Sequence, residues 1–181
     1  MNVTYEHKPA LTFIGFSTSI RPEEGYRKCP EFWDKEYSQK YARLWQTMQP
    51  ETAMEKAILE NGIGLFAICD EKEGAFEYWI AGLYKGGDVP AGLKLYTFPE
   101  SEWTMFSAKG PLPGTLQGLN TQVWKEWYPN EGQNIGETEM ECWRFTPTAT
   151  CKVPTTNVGS GCRYANPKKK MSEKRRRWFR R

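Results

Sequence analysis

The residues in this chain best suited to chemistry are carboxylates set among aromatics. Glu77 stands in Phe76-Glu77-Tyr78-Trp79-Ile80, with apolar or aromatic neighbours on both sides. Side chains of a strand alternate between its faces, so Phe76, Tyr78 and Ile80 share one side and Glu77, Trp79 and Ala81 the other. A carboxylate beside an indole is equipped to hold a cation, by charge and by a π-face contact of about 0.5–2 kcal/mol. A carboxylate taken out of water without a partner is costly, so such a group takes up a cation or a proton. The competing reading is an exposed glutamate on an edge strand. Glu139 and Glu141 alternate with Met140 and Cys142 and raise the same two readings.

The aromatic supply around these acids is large: 8 Trp, 9 Tyr and 9 Phe in 181 residues. Trp33, Tyr37, Tyr41 and Trp45 recur every four residues, one stripe of a helix. Such a stripe packs a core by default, and its first turn, with Phe32, Trp33 and Tyr37, is the part that could wall a ligand site. Trp124, Trp127 and Tyr128 close a later helix, and Trp103 and Phe106 flank a strand. These side chains, with Glu77, Tyr78, Trp79 and Glu141, form the candidate ligand-contact set. No residue is assigned a catalytic role.

Several chemistries are excluded as expectations. The single histidine, His7, cannot build a histidine triad or a multi-histidine metal site. The five cysteines are odd in number and none has CxxC spacing, so neither a zinc site, a redox pair nor a secreted disulfide scaffold is expected. No cofactor and no metal are therefore expected. No apolar run nears the roughly 20 residues of a membrane helix, and 1–10 lacks the pattern of a signal peptide. A cytoplasmic location is expected on these grounds. The net charge of +3 is uneven, because 168–181 holds nine Lys/Arg against one acid and the preceding residues carry −5. An acidic body suits cationic partners. Nucleic acid is expected to bind only through the basic tail.

The elements that must position the acids and aromatics can be read in order. Residues 11–20 form a strand and 21–29 a turn-like stretch. Pro30 takes a first helical position, and the helix runs to about Met48, before Pro50. A short helix over 51–60 follows, then strands at 64–70 and 76–83 joined by 71–75. Strands at 94–98 and 102–108 precede the breaker Lys109-Gly110-Pro111-Leu112-Pro113-Gly114. A second helix carries Leu116, Leu119, Val123, Trp124 and Trp127 and ends at Pro129, and 139–145 is a strand. This gives an α+β fold from a duplicated strand–helix–strand–strand unit: an antiparallel sheet with two long helices. The repeat calls for a last strand after Phe145. The sequence there is rich in Thr, Pro, Gly and Asn, so that strand is expected to be missing or altered.

The stretch 106–131, FSAKGPLPGTLQGLNTQVWKEWYPNE, resembles the second half of the GyrI-like family, the effector-binding domains of AraC-type and multidrug-sensing regulators. The shared features are a strand, then G-P-L-P, then a helix closing on W-x-x-W-Y-P. KPALTFIG at 8–15 resembles the family's opening strand and FEYWIAG at 76–82 its mid-domain strand. The resemblance implies a domain over 1–145, followed by an irregular segment and basic tail at 146–181. It also implies binding of a small organic ligand, cationic and aromatic, in a cleft between the two pseudo-repeats. Two other functions fit the resemblance: hydrolysis of a reactive small molecule by a pocket glutamate such as Glu77 or Glu141, and inhibition of a protein partner. No helix-turn-helix precedes the domain, so DNA reading is not expected of this chain. An unpaired sheet edge, if the last strand is missing, would favour a homodimer.

The family's last strand carries Y-P-x-G-D and W-x-P features that are absent after Phe145. Codons for 142–167, with each third base read together with the next codon's first two, can spell L-A-V-Y-P-N-G-D-M-Q-S-A-D-Y-K-C-G-I-W-M-P-I-R-K-P, which has both. The segment from 142 onward is accordingly read as a candidate out-of-frame stretch, with the basic tail incidental. The gene's nucleotide sequence tests this: codons that spell the string support it, and codons that cannot spell it remove the idea.

Overall fold

The computed structural model describes residues 1–111, 114–131, 142–145 and 156–163. The chain divides into two compact units, one of Leu11–Phe98 and the other of Met1–Ala10 with the residues from Pro99 onward.

In chain order the strands are β1 (Asn2–Lys8), β2 (Leu11–Ile20), β3 (Phe66–Lys72), β4 (Ala75–Leu83), β5 (Lys94–Phe98), β6 (Ser101–Gly110), β7 (Cys142–Phe145) and β8 (Thr156–Arg163). Within Leu11–Phe98 the sheet order is β3-β4-β2-β5, every neighbour antiparallel. β3 and β4 form a hairpin closed by Lys72 opposite Ala75, with Gly74 at φ +74° in the turn. That closing pair fixes the register, which sets Asp70 opposite Glu77 and Ile68 opposite Trp79.

The helical layer of this unit is less regular than its sequence period suggests. A 3₁₀ turn at Pro22–Glu24 leads into α1 (Gly25–Phe32), so Pro30 lies inside the helix and not at its start. The expected turn at 21–29 is thus mostly helical. Ion pairs along the exposed side support it: Glu24 to Arg27 at 3.2 Å, Glu24 to Lys28 at 3.1 Å and Glu31 to Lys35 at 2.6 Å. Proline has no N–H for the turn before it, and after Pro30 the chain widens into a π-helical stretch, Trp33–Gln39. Tyr41 then leaves helical geometry, and α2 (Ala42–Thr47) ends on Met48 in the left-handed region at φ 55°. The single helix expected to about Met48 is therefore three segments.

α3 (Ala53–Asn61) has a capping box: Thr52 Oγ1 accepts from Glu55 N, and Glu55 reaches back to Thr52 N. Glu55 also accepts from Glu51 N at 2.7 Å and from Arg43 at 2.6 Å. These bonds, with the backbone donor first, hold its carboxyl below the usual range. The helix layer packs on one sheet face through Ile14, Phe16, Ile80, Tyr37, Tyr41, Leu44 and Ile58. Gly64 holds a special place in this core. Its φ is +105°, and a Cβ there would collide with the Tyr37 ring, whose hydroxyl donates to Ile63 O.

In the other unit the order is β1-β6-β8-β7, again antiparallel throughout. β1 was not foreseen as a strand of its own; it pairs along its length with β6, Val3 opposite Phe106. α4 (Gly114–Gln122), a π-helical Val123–Trp127 and the short α5 (Tyr128–Asn130) follow, so the helix runs just past Pro129. Phe106, Leu119, Val123, Trp124 and Trp127 form its core. The last strand called for by the repeat is present as β8, despite its altered composition.

The duplication is legible in the topology. Each unit has a strand, a helix with a π-helical turn, and two further strands, and each adds one outer strand: β5 beside β2, and β1 beside β6.

Gly64→Ala should cost on the order of 3 kcal/mol, combining left-handed strain with a clash on Tyr37. Gly74→Ala has positive φ but open space around it and should cost about 1 kcal/mol. Urea denaturation of the two variants checks the difference.

Candidate functional site

In the Leu11–Phe98 unit the alternation of β4 sorts the candidate residues onto two faces. Tyr78 points to the helices. Its hydroxyl accepts from Trp33 Nε1 at 2.7 Å, and its ring meets Phe32 edge-on at 6.3 Å. Trp33 meets Tyr37 edge-on at 5.4 Å. Tyr37 is buried, and that burial pushes its hydroxyl well above the ordinary tyrosine range. Phe32, Trp33, Tyr37 and Tyr78 thus form one cluster between helix and sheet, with Tyr37 deep in the core.

Glu77 and Trp79 lie on the opposite face, away from the helix-packed core. Trp79 is 3% exposed, and its ring sits 5.5 Å from Tyr96 of β5. Phe13, Phe66 and Phe98 continue this aromatic floor, with edge-to-face contacts of 5.0 and 5.6 Å. The Trp79 Nε1–H is buried and has no acceptor among the described residues. A buried N–H without a partner costs about 1–3 kcal/mol, so it is a donor ready for an acceptor.

The acidic end of this face holds two carboxylates. Glu77 Oε1 accepts from Ser17 Oγ at 2.7 Å and lies 3.4 Å from Lys94 Nζ. Lys94 in turn donates to Ser17 Oγ at 3.0 Å. Asp70, directly opposite Glu77, is buried, and its Oδ2 lies 2.6 Å from Lys72 Nζ in an ion pair without an aligned hydrogen bond. Like charges directly opposite across strands repel, and each acid here is matched by a lysine that is more than half exposed. The arrangement can hold positive charge beside an aromatic surface.

Asp70, Lys94, Ser17 and Tyr96 are among the residues here that were absent from the sequence-derived set. A signal for Asp70 existed, because the two-residue turn at Glu73-Gly74 fixes 70 opposite 77. For Lys94, Ser17 and Tyr96 the register of β2 and β5 was needed, and nothing local announces it.

In the other unit the candidates are also split. Phe106 and Trp127 meet edge-on at 4.7 Å in the core with Trp124. Trp103 is fully buried on the opposite face of β6, opposite Glu6 of β1. Trp127 Nε1 is buried with no acceptor among the described residues. Tyr128 falls in α5, its side chain outside those described, and Glu141 lies outside the described residues. Among the described residues no cluster of three or more His, Cys, Asp or Glu could hold a metal ion, and no helix is long and apolar enough to cross a membrane.

Residues 1–155 match the model of the GyrI-like small molecule binding domain. The chain belongs to this GyrI-like family. The fold is shared with solved structures of low identity. One is a protein from Staphylococcus aureus MU50, at 16% identity and TM-score 0.65 over 92% of this chain and 99% of that one. Another is SAV2435 bound to tetraphenylphosphonium, at 17% identity and TM-score 0.62 over 90% and 94%. A third is an integron cassette protein of Vibrio cholerae, at 11% identity and TM-score 0.61 over 90% and 95%. No curated protein sequence matches the chain. The α+β fold, the duplicated unit and the family expected from G-P-L-P and W-x-x-W-Y-P all hold for this GyrI-like domain.

Trp33→Phe in the GyrI-like domain removes the bond to Tyr78 and should lower stability by about 1 kcal/mol. Thermal unfolding followed by circular dichroism checks this.

Proposed function

We propose that this GyrI-like domain binds an organic cation carrying aromatic rings, as a drug- or metabolite-sensing or sequestering module, on the face formed by Glu77, Trp79 and Tyr96. The observation that carries the reading is Glu77 itself: a half-buried carboxylate, 24% exposed, on the same face as a buried indole whose N–H has no acceptor among the described residues. A cation over Tyr96 and Trp79 gains charge pairing and π-face attraction together. A hydrogen-bond acceptor on the same ligand would satisfy Trp79 Nε1. The solved relative bound to tetraphenylphosphonium supports the ligand class. Only a concave or grooved aromatic surface with a few polar groups is needed, without catalysis.

The test is a tryptophan-fluorescence titration of the purified chain with tetraphenylphosphonium, corrected for inner-filter effects. Saturable quenching is expected, and Glu77→Gln should weaken it about tenfold, the equivalent of about 1.4 kcal/mol. Absence of saturable binding by the folded chain, or equal affinity in Glu77→Gln, would overturn the reading.

A further inference from the structure

We infer that Lys94 is a built-in competitor for the Glu77 site, a resident cation that sets how strongly the site prefers cationic ligands. The inference rests on the proposed ligand face and adds a specificity-determining residue to it. Three observations carry it. Lys94 stands on β5, the outer strand of its unit's sheet, opposite Gly15. Glycine at 15 places no side chain in the lane across β2, so the lysine reaches over that strand to Glu77 on β4. Its ammonium there touches both Glu77 Oε1, at 3.4 Å, and Ser17 Oγ, at 3.0 Å.

The geometry suits a displaceable partner better than a structural one. Lys94 is 63% exposed, whereas Glu77 is 24% exposed. The long contact and the exposure make the pair weak, because water screens it and the lysine chain loses freedom in holding it. Ser17 stays behind as a donor to the same Oε1 at 2.7 Å when the ammonium leaves. Glu77 thus keeps its orientation while its charge becomes available. Asp70 opposite has its own partner, Lys72, at 2.6 Å, so the two acids do not share one lysine. An incoming cation must evict Lys94 from Glu77 or sit beside it at a cost in repulsion. A neutral ligand on Tyr96 and Trp79 meets no such competition.

The experiment compares the full chain with Lys94→Met and Glu77→Gln, alone and together. The probes are tetraphenylphosphonium and the neutral triphenylphosphine oxide, read by calorimetry or fluorescence. Lys94→Met should tighten tetraphenylphosphonium about fivefold, the scale of an exposed ion pair, and leave triphenylphosphine oxide unchanged. In the Glu77→Gln background the same substitution should change neither affinity. The inference is overturned if Lys94→Met leaves tetraphenylphosphonium binding unchanged or weaker while Glu77→Gln still weakens it, a result that leaves the ligand face standing. It is overturned together with that face if no variant binds tetraphenylphosphonium. Equal tightening of both probes would also overturn it, since it would mark a packing effect.

Discussion

The period-two alternation of β4, buried on both sides, is the constraint on which the rest of the unit depends. β4 lies between β2 and β3, with Tyr78 and Ile80 committed to the helical layer and Trp79 to the other face. A slip of one residue would exchange the two sets, carrying a carboxylate into the core and Tyr78 out of it. The hairpin turn at Glu73-Gly74 prevents that slip from one side, and the bond from Trp33 to Tyr78 anchors it from the other. Because the register is fixed, Glu77 and Asp70 stand opposite each other and Trp79 stands next along the strand.

Two acids placed so close need compensation, and the chain supplies it from exposed lysines. Ion pairs with exposed lysines contribute little to stability. Their effect is to bring the charge of the face close to neutral. Asp70 is buried and Glu77 half-buried, so of the two acids it is Glu77 whose charge is accessible. On the helix side Phe16, Tyr37, Tyr41 and Leu44 pack together and Gly64 admits the Tyr37 ring.

Much of this organisation was legible in the sequence, for identifiable reasons. The strand at 76–83 alternates cleanly, so the separation of Tyr78 from Glu77 and Trp79 follows from spacing alone. G-P-L-P before a Trp-rich helix end marked the second repeat and the family. The helix over 30–48 was harder, since a π-helical turn keeps the aromatic stripe on one side and leaves no trace in the spacing. β1 was missed because Asn2–Lys8 is mostly polar and takes its strand form from pairing with β6. Lys94 and Ser17 escaped because they meet Glu77 only through the β2–β5 register, a long-range fact that no local pattern encodes.

Indole ¹⁵N–¹H NMR of the chain titrated with tetraphenylphosphonium tests the central claim most directly, with the Trp79 resonance assigned through Trp79→Phe. The account predicts a saturable shift of the Trp79 Nε1–H signal, while the Trp33 signal, bonded to Tyr78, stays in place. A saturable shift at Trp33 with Trp79 unmoved would place the ligand on the helix side and contradict it.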